Sequence, residues 1–425
     1  MASFFIPLTG LESDSTALNT IANNLANMNT TAFKSQAVDF ADLFYQQIGS
    51  AGSGDPIQVG AGVQVASIET AFSQGSINST GNSTDVALNG NGFFVVDNGG
   101  TNEYTRAGNL SLDANGNLVT QNGLSIMGYP AVGGVVNTNA PLTAMNVPVG
   151  QVQQPQATGS FNMTANLDAS SASGTSFPAQ ITIYDSLGVS HVATVTYTET
   201  GTNTWSYSVA LPATDFTSGV STPVTGSMSF DSSGNLTSVT PAGGALTAVG
   251  TAAGDISSIP VTFTGLADGA ANLNMKWNLL GTGGTPTISQ VASASAVAAT
   301  TQDGYASGQY QSFTIGADGT VSATFSNGQQ EAVGQLALAN VANVQGLQML
   351  GDGDYATTLA SGTALIGTSG TAGRGTLQDG ALEESNVNIS AEFSDLIIAQ
   401  RAFEANSKAV TTFDTVTQET INMIH

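Results

Sequence analysis

Cysteine is absent from this 425-residue chain, so neither a disulfide framework nor a thiolate metal site is open to it. Positive charge is nearly as scarce. Lys and Arg number 6 against 30 Asp and Glu, leaving a formal net charge of −24. Such a chain cannot neutralise phosphates, which excludes nucleic acid and anionic membrane surfaces as partners. Histidine occurs only twice, at His191 and His425. His191 lies in a strand-like run and reads as a surface or packing residue, and no His/Asp/Glu cluster has metal-ligand spacing. There is no P-loop and no Gly-x-Gly-x-x-Gly opening a helix. Carboxylates are plentiful, but nothing singles out an acid pair of the glycosidase kind. The chain is therefore expected to be no enzyme, with no catalytic residue, no cofactor and no metal.

Long apolar runs are also missing. Nowhere do about 18 uncharged apolar residues follow one another, so no membrane insertion is expected. The opening residues MASFFIPLTG lack the basic region, apolar core and small-residue cleavage site of a secretory signal. The chain is either cytoplasmic or exported without a cleaved signal peptide.

What is present is concentrated at the two ends. Leu11, Leu18 and Leu25 recur every seventh residue, and Ile21 and Met28 complete the stripe. Ile389, Leu396, Phe403, Val410 and Ile424 repeat at the same spacing, broken at Thr417. Apolar stripes of this kind need a partner helix, because isolated helices of this length are marginal in water. Thr9 to Glu12 fits a capping box, which predicts a first helix from Thr9 to about Met28. Ser390 and Glu392 fit the start of the last helix, as cap and as an acid at the positive end. An intramolecular two-helix pair and a contact between subunits both satisfy the stripes.

Between the ends the pattern is that of strands and tight turns. Phe93-Phe94-Val95-Val96 is a short apolar run expected of a core strand. The segments Leu110–Leu118, Met228–Leu236 and Phe313–Val321 each run from alternating apolar residues into an Asp and a Gly suited to a hairpin. Asp113, Asn115 and Asn117 resemble the start of an EF-hand loop. Gly stands at the fourth position instead of the sixth, however, and no glutamate closes the loop, so a turn is expected. Phe40, Leu43, Phe44 and Ile48 predict a short helix within the weakly periodic residues 33–70.

Several segments resemble a known family. Asn23-Asn24-Leu25-Ala26-Asn27, followed by Asn29-Thr30-Thr31-Ala32-Phe33-Lys34, is similar to the N-terminal signature of the bacterial flagellar rod and hook axial proteins. That family usually has Gly where this chain has Ala32. Gly90–Val96 and Tyr104-Thr105-Arg106-Ala107-Gly108-Asn109 resemble its first β-domain, and residues 385–388 and 399–408 its C-terminal signature. Within the family, residues 179–188 resemble the outer domain of the hook branch.

The resemblance implies a multidomain fold: α-helical coiled-coil termini packed together, plus two mainly-β domains, the second inserted into the first. The expected parts are a terminal helical domain (1–30 and 386–425), an extended connector (31–71 and 366–385), a first β-domain (72–150 and 301–365) and an inserted outer β-domain (151–300). The implied function is a subunit polymerising into the curved, torque-transmitting hook of the flagellum, with a distal rod protein or a secreted adhesin as alternatives. The implied polymerisation interface comprises Leu11, Leu18, Ile21, Leu25, Met28, Ile389, Leu396, Arg401, Phe403, Lys408 and Val410, with Glu404 and Lys408 as a helix-surface pair. Implied partners are further copies of the chain, the distal rod protein, the hook cap and hook–filament junction proteins, and the flagellar export apparatus. The implied location is extracellular, at the basal body and hook.

Overall fold

Apolar and polar residues alternate along Ser190–Gly201, and the strand buries every second side chain as that period demands. The same rule builds the whole of one unit, Gly150–Gln311 with Phe325–Gln329. The computed structural model describes residues 4–50, 52, 56–241 and 243–423, so Ile424 and His425 fall outside the described residues.

In this unit an antiparallel meander runs Ser176–Tyr184, Ser190–Gly201, Thr204–Ala210, Val224–Phe230, Leu236–Thr240 and Thr247–Ala248. A second, mixed sheet centres on Ser160–Asp168, which pairs in parallel with Leu273–Asn278 and Ile288–Val291 and antiparallel with Ala296–Gln302. Alternate residues of the two sheets form one apolar core that includes Phe161, Tyr197, Trp205, Tyr207 and Trp277. Trp277 stacks on Phe161 at 5.9 Å and meets Tyr207 edge-on at 5.4 Å.

The other unit comprises Met1–Val149, Ser312–Thr324 and Gln330–His425. Its main sheet contains Phe93–Asn98, paired with Thr101–Thr105, Ser125–Val132 and Leu338–Asn340. Phe93 to Val96 are all at most 2% exposed, as expected of an apolar run covered on both faces. Phe93 and Val95 enter a cluster with Tyr104, Tyr355 and Val341. The expected turns are present: Asp113 Oδ1 accepts from the N–H of Asn115 and Asn117, and Gly116 takes φ 83°.

Residues 33–70 differ from the expected short helix. Gln36–Asp42 pairs with Val63–Thr70, and Tyr45–Ser50 with Pro56–Gly60, making one extended antiparallel hairpin. Aromatic and β-branched residues here, among them Phe40, Tyr45, Ile57, Val59 and Val65, favour the pleated backbone over the short helix that residues 40–48 offered. Strands also occupy the second connector, where Thr376–Asp379 pairs with Val86–Asn89 and Ala381–Glu383 with Ile77–Ser79.

Helix α1 spans Phe5–Ala26 and helix α2 spans Ile389–Met423. The expected caps of both helices shift. α1 begins at Phe5, so Thr9 lies inside it, and its hydroxyl bonds Ile6 O and the Val63 N–H instead of capping. At α2 the cap is Asn388, whose Oδ1 accepts from the N–H of Ser390 and Ala391.

Both tryptophans of the chain, Trp205 and Trp277, lie in the first unit described, so their fluorescence reports on it alone. Trp277→Ala should destabilise that unit by about 3–5 kcal/mol. Denaturant unfolding followed through Trp205 would check it; a loss below about 1 kcal/mol would mean the cluster is not the centre of the core.

Candidate assembly surface

Three segments far apart in sequence meet at a buried ionic cluster. Glu383 Oε1 lies 2.6 Å from Lys34 Nζ, and Oε2 lies 3.1 Å from Arg106 Nε. The three side chains are 0 to 5% exposed. Two cations face one carboxylate, and backbone carbonyls disperse the remaining charge: Lys34 donates to Ser73 O, and Arg106 to Gly92 O and Gly90 O. Burial pulls the Lys34 pKa below its ordinary value, and the hydrogen bond to Glu383 opposes that.

Around this cluster the chain ends are laced together. Asn386 accepts from Ser35 N–H and donates to Ala71 O, while Ala32 N–H donates to Glu383 O. Ala32, standing where the family usually has Gly, takes the left-handed φ of 56° that glycine would adopt freely, at a cost of about 1–2 kcal/mol. Lys34 is fully enclosed and Phe33 half-buried, whereas Asn29 and Thr30 are exposed. In the same signature Asn27 Nδ2 bonds Asn23 O, closing the end of α1.

α1 and α2 pack antiparallel, since Asn24 meets Glu392 and Asp14 meets Asn406. The most buried residues of the pair are small or polar, and residues of the apolar stripes flank them half-buried. The buried residues of α1 are Pro7, Gly10, Ser13, Thr20 and Asn24, and the one buried residue of α2 is Ala399. A Cβ on Gly10 would stand 2.6 Å from Asn406 Nδ2, so glycine sets the spacing of the helices. Asn24 also exchanges two hydrogen bonds with the Gln36 backbone, joining both helices to the hairpin. Glu392, half-buried here, has its pKa raised by burial, against the hydrogen bond from Asn24.

The apolar stripe residues therefore stay available. Leu11, Leu18, Ile21, Leu25, Leu396 and Val410 are only half-buried. Met28, Ile389 and Phe403 are exposed, as are Ile397 and Ile398 beside them. Residues 411–423 of α2 are exposed apart from half-buried Phe413. The hairpin adds Phe40, Phe44, Tyr45 and Ile48 to the exposed apolar surface. Exposed large apolar residues on neighbouring elements mark a contact surface when they are contiguous. Arg401 and Lys408 are exposed, and Glu404 pairs with Arg401 at 3.0 Å instead of with Lys408. That exposed pair contributes little.

One further cluster was invisible to spacing. His191 is buried, with Asp185, Asp215 and Asp268 around its ring, although these residues come from separate turns and loops.

The chain is similar to known proteins along its length. Residues 8–34 match the family described as flagella basal body rod protein, and 378–423 the flagellar basal body rod FlgEFG protein C-terminal family. Residues 87–203 match the flagellar hook protein FlgE/F/G D1 domain, and 157–305 the flagellar basal body protein FlaE D2 domain. The flagellar hook protein FlgE of Treponema pallidum is 35% identical, covering 100% of this chain and 99% of that protein. That of Escherichia coli K12 is 35% identical over 99% and 100% respectively. The crystal structure of Helicobacter pylori FlgE2 shares the fold, with a TM-score of 0.53 at 15% identity, covering 72% of this chain and all of that one.

Two predictions follow the charges. Glu383→Gln would strand two buried cations and should cost about 3–5 kcal/mol, read as faster amide exchange throughout Phe93–Asn98; unchanged exchange would refute a structural role for the cluster. Because the folded-state pKa of Glu392 lies above its ordinary 4.5, its contribution to helix pairing is full below that value and fades as pH rises through the folded pKa. Glu392→Gln should make protease protection of α2 less dependent on pH between about 4 and 7. An unaltered pH dependence would place its origin elsewhere.

Proposed function

The chain belongs to the flagellar hook protein family, and from that premise we propose that it polymerises through the outward apolar faces of its terminal helices. It is a structural subunit of the hook. Relatives matched from end to end carry the hook name, which does not favour a distal rod protein.

One observation carries the assembly reading: the residues fully buried on the two helices are mostly small or polar, while their large apolar side chains remain half-buried or exposed. The inner seam is satisfied within one subunit by Gly10, Ser13, Thr20, Asn24, Ala399 and Asn406. Leu11, Leu18, Ile21, Leu25, Met28, Ile389, Leu396, Phe403 and Val410 are then the surface that a neighbouring copy covers, with Arg401 and Lys408 at its margin. A patch meeting a different patch on the next copy generates an open helical tube. In this reading the helices form a coiled-coil inner layer and the β-domains stack outward. The division of the chain, with Gly150–Gln311 between two stretches of the other unit, supports an inserted outer domain near residues 151–300.

The same reading assigns export through the flagellar export apparatus. It also assigns end contacts with the distal rod, hook cap and hook–filament junction proteins. The outer surface, rich in Ser, Thr, Asn and Gly and poor in cations, offers many interchangeable polar contacts for subunits that slide during bending.

Phe403→Asp and Ile397→Asp test the surface. Both side chains are exposed in the single chain, so monomer stability should change by no more than about 0.5 kcal/mol. A charge buried in an apolar contact costs several kcal/mol, so electron microscopy should find no tubes. Tubes of normal length from either variant would overturn the assignment.

A further inference from the structure

The turn at Asp185 departs from its siblings in one atom. At Asp113 and Asp231, one carboxylate oxygen accepts two backbone N–H groups, while the other accepts the side-chain amide of Asn117 or Asn235. Asp185 Oδ1 makes the same backbone bonds, to Leu187 and Val189 at 2.8 and 2.9 Å. Here the fifth residue is Val189, which has no amide to give, so Oδ2 is released from the turn. It lies instead 3.1 Å from His191 Nε2. Asp268, in the loop between Ser258–Phe263 and Leu273–Asn278, brings a second carboxylate oxygen to 3.6 Å from that nitrogen. Behind the ring, Asp215 Oδ2 lies 2.9 Å from Nδ1.

An imidazolium paired with Asp185 and Asp215 explains only part of this. At 3.6 Å Asp268 is beyond a hydrogen bond. Donor atoms held about 2.0–2.1 Å from a tetrahedral zinc ion stand about 3.3 Å apart, and the distances of 3.1 and 3.6 Å bracket that value. The three donor atoms all lie within 4.8 Å of one another. With Asp215 accepting from Nδ1–H, loss of the Nε2 proton would turn that nitrogen's lone pair toward the two carboxylates. A carboxylate behind a ligating histidine is the usual outer partner of a metal site. Asp185 is fully buried and His191 6% exposed, so the inner carboxylate has little water to screen it, while Asp268 stands at the open rim. A divalent ion cancels both charges at once.

We propose that Asp185, His191 and Asp268 form a binding site for a divalent transition-metal ion, with zinc the best fit to one imidazole and two carboxylates, and Asp215 as the positioning residue. Water completes the coordination on the Asp268 side, where that side chain is 24% exposed. The ion would join the 185–189 turn, the strand Ser190–Gly201 and the loop carrying Asp268, and stabilise this end of the unit by mass action.

The test uses the full-length monomer, stripped with chelator and titrated with zinc chloride over millimolar magnesium to occupy loose carboxylate sites. One equivalent should bind at micromolar affinity or tighter, and the tryptophan-monitored melting transition should rise. Asp268→Asn, at the rim of the site, should keep the fold and lose at least tenfold in affinity, and His191→Gln should abolish binding. His425→Ala, a control for the other histidine, should bind normally. Cobalt in place of zinc should give tetrahedral absorption bands that Asp268→Asn loses. No saturable binding, or binding that survives both Asp268→Asn and His191→Gln, overturns the proposal.

Discussion

The buried contact of Glu383 with Lys34 and Arg106 is the constraint on which the rest of its unit depends. Removing three charges from water costs several kcal/mol for each, and only close, fully bonded geometry recovers it. That requirement fixes the carbonyls of Ser73, Gly90 and Gly92 as acceptors, and so fixes the segments that carry them. It also fixes where α1 ends and α2 begins, because Lys34 lies shortly after one helix and Glu383 shortly before the other. The helices leave from neighbouring points and can pack along each other. Two of the six basic residues are committed here.

The helix pair then divides its chemistry by face. Polar hydrogen bonds, Asn24 to Glu392 and Asn406 to Asp14, specify the register within the chain. They leave the large apolar side chains for contacts of a different order. A seam of leucines inside the subunit would have made a more stable monomer with nothing left for its neighbours.

Local signals in the sequence were sound wherever the outcome was decided locally. Phe93–Val96 reads as a buried strand and is one. The Asp-and-Gly turns at 113 and 231 close as their residues dictate, and both terminal helices exist. The heptads located the helices but could not say how far each stripe is covered by its own chain, because apolar spacing does not distinguish a partner helix of the same chain from one of a neighbour. The seven-residue spacing of Glu392, Ala399 and Asn406 was the signal that could have found the inner seam. At 33–70 a cross-strand partner outweighed a brief helical pattern, and at Thr9 the hairpin's Val63 took the hydroxyl expected to cap. The ionic cluster and the histidine cluster join residues separated by long stretches of chain. Only folding brings them together.

Glu383 follows Lys34 by 349 residues and Arg106 by 277, so the countercharge for both is synthesised long after them. A chain cut short before residue 383, or clipped there by a protease, would have to bury two cations without an anion and would lose the strand Ala381–Glu383 as well. Its N-terminal helix would have no α2 to lie against. The cluster thus ties the stability of the N-terminal segments to the presence of residues 383 onward.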